Sequence, residues 1–205
     1  MSKAAATPRS PHVRVPLCAI RTMKTEQSRQ DRIQHLRKEQ ERKDYLSDFL
    51  ASLSNIAEKN ISKESVLSLE EVNTVTNRIH YRNSQVPTYI INFPFSQADK
   101  LREIFSCLRQ NLSEENCYLT SYRFYKSIIL LLDSSFIIDK FEEVIELDGN
   151  AFYIYDREIE NGLMLDSNEE NWTENGKTEY VWTYELRVWG KEWVNKIQVA
   201  YNSQT

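Results

Sequence analysis

The sequence predicts an α+β fold: a mainly antiparallel sheet with segregated helices and an N-terminal helical extension. Two patterns carry this. Apolar residues step by three and four through the first half of the chain, the spacing of a buried helix face. Short apolar and aromatic runs separated by turn residues fill the second half, the character of strands. A third observation sets the scale: 205 residues, 40% apolar and 27% charged, suffice for one packed domain with an appendage.

Residues 1–22 read as a disordered or misassigned tail, with a transit-like tail as the alternative. They hold Pro8, Pro11 and Pro16, and the cations Lys3, Arg9, Arg14 and Arg21 face no acid. The mildly apolar stretch 13–20 is too short and broken for a signal segment. Residues 23–60 read as an N-terminal helix. Its front, 25–43, has only Ile33 and Leu36 as large apolar residues and should be solvated. Its back carries Tyr45, Leu46, Phe49, Leu50, Leu53, Ile56 and Ala57 at helical steps and should dock.

Residues 61–205 form the predicted α+β binding domain. Ser68 caps a helix over 69–80, with Glu71 at the capping-box spacing. After a break at 83–87, residues 88–93 read as a strand. Ser96 is the expected cap of a helix over 97–111, whose apolar face is Ala98, Leu101, Ile104, Phe105, Leu108 and Leu112. Residues 118–124 are aromatic-rich, and 127–132, apolar on both faces, read as a central strand. A helix is expected over 136–147, a turn at 148–150, and paired strands over 151–156 and 162–166. Residues 171–177 read as a polar loop and 180–188 as an alternating strand with Trp182, Tyr184, Leu186 and Val188 on one face. A short helix over 191–199 closes the chain. Core packing is the expected role of Trp182, Trp189 and Trp193.

The residues limit the chemistry. The longest apolar run, 128–132, is far short of the roughly 20 residues of a membrane span, so no membrane partner is expected. Cys18, Cys107 and Cys117 form no C-x-x-C pair, and a single disulfide would leave one over. Reduced thiols and a cytoplasmic location are expected, with Cys107 a buried free thiol on a helix face. His12, His35 and His80 all precede the sheet region, which therefore has no imidazole base or metal ligand. No phosphate loop, nucleophile elbow or zinc motif occurs, so no catalytic residue, cofactor or metal is expected.

Charge is the informative feature. Residues 1–43 carry eleven Lys/Arg against four Asp/Glu, while residues 133–185 carry fifteen Asp/Glu against three Lys/Arg. The net charge of −4 conceals this division. One reading of the acidic run is a solvated face. The other is an anionic, aromatic-bearing surface that steers a basic partner and anchors it with rings. Asp148, Tyr153, Tyr155, Asp156, Glu158, Glu160, Asp166 and Trp172 are the candidate partner-binding residues.

A family resemblance falls in the same stretch. Residues 134–193 hold Phe136-x4-Phe141-Glu-Glu-Val-Ile-Glu, Asp148-Gly-Asn-Ala-Phe, Asn161-Gly-Leu-Met-Leu-Asp166 and Tyr184-Glu-Leu-Arg-Val-Trp-Gly-Lys-Glu-Trp193. With the residues from 86 onward this resembles the YxiF-like group of small bacterial proteins associated with toxin–immunity loci. The resemblance implies an immunity-type role, in which the chain sequesters a cognate protein toxin. It assigns no site residue. Two alternatives stand beside it: a carboxylate-based, metal-dependent hydrolase, and a regulator binding nucleic acid through the basic helix 24–43. Nucleic acid is the less expected partner, because the chain as a whole is acidic.

Overall fold

The computed structural model describes residues 17–83, 88–147, 151–174 and 176–203. It is α+β. The described residues divide into two units, one up to Arg37 and one from Lys38 onward. The first helix, α1, spans Leu17–Ile56. It begins inside the stretch read as a tail, and residues 1–16 lie outside the described ones. Ile33 and Leu36 are exposed, as a solvated front requires.

From residue 38 onward the order is α2 (Leu69–Asn83), β1 (Thr88–Pro94), α3 (Ala98–Ser106), α4 (Arg109–Glu114), β2 (Cys117–Ser121), β3 (Leu130–Leu132), α5 (Phe136–Asp139), α6 (Phe141–Glu146), β4 (Ala151–Tyr155), β5 (Gly162–Glu174), β6 (Lys177–Trp189) and α7 (Lys191–Asn202). The six strands make one antiparallel sheet, ordered β1-β6-β5-β4-β2-β3. Strand alternation sends Ile91, Phe93, Leu119, Phe152, Ile154, Leu163, Leu165, Tyr184, Leu186 and Val188 to one face. There they join the back of α1, α3, α4, α5, α6 and α7 in the main core. On the opposite face α2 buries Val72 and Val75 against Ile129, Tyr155, Met164 and Trp189.

Local chemistry fixes several boundaries. Ser68 and Glu71 exchange hydrogen bonds at the start of α2: Ser68 N–H donates to Glu71 Oε2 at 2.7 Å, and Glu71 N–H to Ser68 Oγ at 3.3 Å. Two otherwise orphaned helix donors are satisfied by this exchange. The docked face of α1 matches its periodicity, with Phe49, Leu50 and Leu53 buried and Leu46, Ile56 and Ala57 against the core. The expected apolar face from Ala98 to Leu112 is buried throughout.

Other boundaries differ from the sequence reading. The helix at 97–111 is two helices, α3 and α4, and Ser96 does not cap it: the cap position is Gln97, without a side-chain bond. The helix at 136–147 likewise divides at Lys140. Of the aromatic-rich stretch 118–124, only the part up to Ser121 is strand. Only Leu130–Leu132 of the expected central strand pairs, and it is an edge. Its two-sided burial has another source, because Leu67 N–H donates to Ile129 O at 3.0 Å and Val66 bridges Leu130. The chain before α2 therefore covers this edge.

Cys117 is fully buried on β2, and Cys107 is half-buried. Burial first, then the charges of Asp156, Glu115 and Asp133, pushes the Cys117 thiol up to about 12. Native protein at neutral pH is therefore expected to leave Cys117 unmodified by iodoacetamide until denaturant is added. Mass mapping of the alkylated peptides checks this, and labelling of Cys117 in the folded chain would contradict it.

Candidate partner-binding surface

Strands β5 and β6 pair over 13 residues each, from Gly162↔Trp189 to Glu174↔Lys177. Their neighbours are shorter. β4 pairs with β5 only as far as Asp166, and β1 with β6 only as far as Thr183. Residues 167–174 and 177–182 thus continue beyond the sheet as a two-stranded ribbon. Residues 171–177, read as a loop, are strand up to Glu174 and from Lys177. Gly176, at φ +75°, sits in the tight turn between them, where a positive φ suits glycine.

The ribbon carries Glu169, Glu170, Glu174 and Glu179 against one cation, Lys177. One face holds Glu170, Trp172, Glu174, Lys177, Glu179 and Val181, as the register requires. Between this face and Pro94 and Ser96 lies a groove of about 310 Å³. Trp172 lines it half-buried, and its indole N–H is buried without an acceptor among the described residues. Such a donor is costly unless something supplies an acceptor. The other face holds Glu169, Tyr180 and Trp182. Tyr180 is 65% exposed and Trp182 44%. Trp182 was expected in the core. It does lie on the core side of the sheet, in phase with Tyr184, and meets Phe95 at 5.9 Å between ring centroids, yet it stays exposed. Phe95, itself 40% exposed, stacks on Tyr184 at 4.1 Å and extends the aromatic surface.

The expected site residues are not gathered there. Of the eight, only Trp172 is on the ribbon. Asp148 lies outside the described residues. Tyr155 is buried against Trp189 at 5.2 Å, which removes it from the outer surface that a protein partner could cover. Asp156 is buried as well and serves the scaffold. Its Oδ1 accepts Glu160 N–H at 2.8 Å, and its Oδ2 accepts Asn161 N–H at 3.0 Å and Asn161 Nδ2 at 2.7 Å. Burial nonetheless outweighs these bonds and lifts its carboxyl above the usual aspartate range. Tyr153 and Asp166 are half-buried on the α2 side of the sheet. Only Glu158 and Glu160 are exposed, in the turn after β4.

The acidic run is also less uniform in space than along the chain. Asp133 pairs with Lys59 at 3.2 Å, Asp139 with Arg109 at 2.9 Å, Glu142 with Arg102 at 3.0 Å and Glu143 with Lys140 at 3.4 Å. Glu158 pairs with Arg78 at 3.7 Å, and Glu185 pairs with Arg187. Surface pairs of this kind add little stability but cancel local potential. The ribbon retains three more carboxylates than cations on adjacent positions. Sequence reading missed Glu169, Glu170, Glu174 and Glu179 as one surface, although Asn175-Gly176 is a hairpin-turn dipeptide that would have joined them.

The basic helix is partly committed elsewhere. Arg42 donates to Ser127 O at 2.6 Å and to Leu67 O, and Lys38 Nζ donates to Asn73 Oδ1 at 2.6 Å. Burial lowers the affinity of both cations for their proton. Among the described residues, no group of three His, Cys, Asp or Glu is placed to hold a metal ion, and no helix is long and apolar enough to cross a membrane. No family model matches the chain, and neither does any curated protein or solved structure.

Proposed function

We propose that this chain is a non-enzymatic, immunity-type binding protein that sequesters a basic protein toxin through the β5–β6 ribbon. One observation carries the reading: exposed Tyr180 and Trp182, with Trp172 in its groove, stand among four carboxylates on the stretches of β5 and β6 that extend past β4 and β1. Rings of this size fill pockets on a partner and dominate binding energy, while the charge around them accelerates encounter. The resemblance of residues 134–193 to immunity-associated proteins supports the same class. The cytoplasm, where a producing cell would need such protection, is the proposed location.

The test pairs the full chain with the toxin encoded beside its gene. Replacing Glu169, Glu170, Glu174 and Glu179 together by lysine should slow association at least about tenfold at low salt. The difference should shrink as added salt shortens the Debye length to about 10 Å at 0.1 M. Trp182→Ala should instead raise the dissociation rate about tenfold or more, as loss of a hot spot does. Stopped-flow and surface-capture kinetics separate the two. Unchanged kinetics in both variants, with circular dichroism showing them folded, would reject the ribbon as the contact surface.

A further inference from the structure

A second concavity lies away from the ribbon, between α2 and the far side of the sheet. It encloses about 240 Å³ and is walled by Tyr122, Tyr125, Tyr153 and Tyr155, with Thr76, Thr120, Ile79 and His80 completing it. We infer that this tyrosine cage binds a small organic cation carrying a quaternary ammonium group.

The sheet builds the floor. Tyr153 and Tyr155 alternate to the same face of β4, and their rings lie parallel within 11°, with centroids 6.3 Å apart. Tyr122 and Tyr125 come from the turn after β2, and Tyr122 stands at the rim, 60% exposed. Four phenol rings from two separate segments thus line one concavity. A ring face carries negative potential, and several together attract a poorly hydrated cation.

The surrounding charge decides the ligand class. Among the described residues that line the cage there is no carboxylate or ammonium, and aromatic rings make up most of the wall beside Thr76, Ile79, His80 and Thr120. The neighbourhood already places cations on rings. Lys126 Nζ lies 5.0 Å over Tyr125, and the Arg123 guanidinium lies 4.5 Å over Tyr45. Burial keeps the Tyr153 phenol protonated, with its pKa pushed up to about 12, so the wall stays a neutral donor at physiological pH. At 240 Å³ the space falls below the roughly 300–1,000 Å³ of drug-sized sites and suits a single trimethylammonium head.

The test titrates the full chain with choline and with 3,3-dimethylbutan-1-ol, which has the same shape but no charge, by calorimetry. Choline should bind about tenfold more tightly than the alcohol. Tyr122→Ala, at an exposed rim position, should weaken choline about threefold or more, and Tyr125→Phe, which keeps the ring, should leave it nearly unchanged. Equal binding of choline and the alcohol would reduce the site to an apolar dimple and overturn the inference. Failure of either to bind, or indifference to Tyr122→Ala, would overturn it too. The ribbon variants should bind choline normally, so the two sites fail independently.

Discussion

Asp156→Ala is expected to lower the free energy of unfolding by about 3 kcal/mol, while Glu158→Ala, two residues on, changes it by no more than about 0.5 kcal/mol. The contrast follows from where the two carboxylates sit. Glu158 points to solvent, its side chain 78% exposed, and meets Arg78 at 3.7 Å. Asp156 is 9% exposed and accepts three hydrogen bonds inside its own turn. Removing it strands the N–H of Glu160, the N–H of Asn161 and the Asn161 amide in a site with little water, each a costly orphan. The turn is also strained, because Ile159 is held at φ +58°, a conformation that a β-branched residue resists. Ile159 is 1% exposed in the second core cluster, so the strain cannot relax without pulling its side chain out. Urea unfolding of the two variants beside the parent checks this.

The pH dependence has a definite sign. Burial raises the Asp156 carboxyl, so the folded chain holds that proton more tightly than the unfolded one. Its contribution is therefore complete below the unfolded value of about 3.9 and declines as pH rises through the folded value. The stability difference between parent and Asp156→Ala should shrink over that interval as pH increases. A difference that grows with pH would show that the three hydrogen bonds outweigh burial.

Gly190→Ala is the second large effect, expected to cost about 3 kcal/mol through strain and the loss of a helix cap. Gly190 adopts φ +88°, and a Cβ there would lie 2.3 Å from Glu160 O and 2.4 Å from Asn161 Oδ1. Asn161 cannot yield freely. Its Oδ1 accepts the N–H groups of Glu192 and Trp193 at 3.1 and 3.3 Å, which caps α7, and its backbone and amide bond to Asp156. One added methyl group therefore disturbs the turn and the helix start together. Gly176→Ala is the control, since Gly176 has φ +75° with open space around it and should lose only about 1 kcal/mol. Equal losses at the two glycines, read from thermal unfolding midpoints, would assign the whole effect to φ and none to the close approach.

These two sites also explain the most distinctive motif in the chain. Trp189-Gly190-x-x-Trp193 joins the end of β6 to α7: Trp189 lies over Gly162 and Tyr155, Gly190 makes the close approach, and Trp193 is 1% exposed in the main core. Here the motif has a structural role. The partner surface proposed for this chain lies at the other end of the same hairpin.

The sequence by itself determined what depends on neighbours a few residues away. Helical steps of three and four marked the buried faces of α1 and α3, the Ser68–Glu71 spacing marked a cap for α2, and alternation assigned Tyr184, Leu186 and Val188 to one side of β6. Only the tertiary structure decided what depends on distant segments. Alternation gives a side chain its face but not the cover over that face, so Trp182 had the right phase and the wrong burial. Charge counted along the chain does not reveal that Lys59, Arg102 and Arg109 neutralise acids 74, 40 and 30 positions away, or that Asp156 turns inward. Strand pairing placed β3 at an edge and let β5 and β6 outrun their neighbours. Burial and ion pairing belong to the whole fold, because each is set by whichever part of the chain packs alongside.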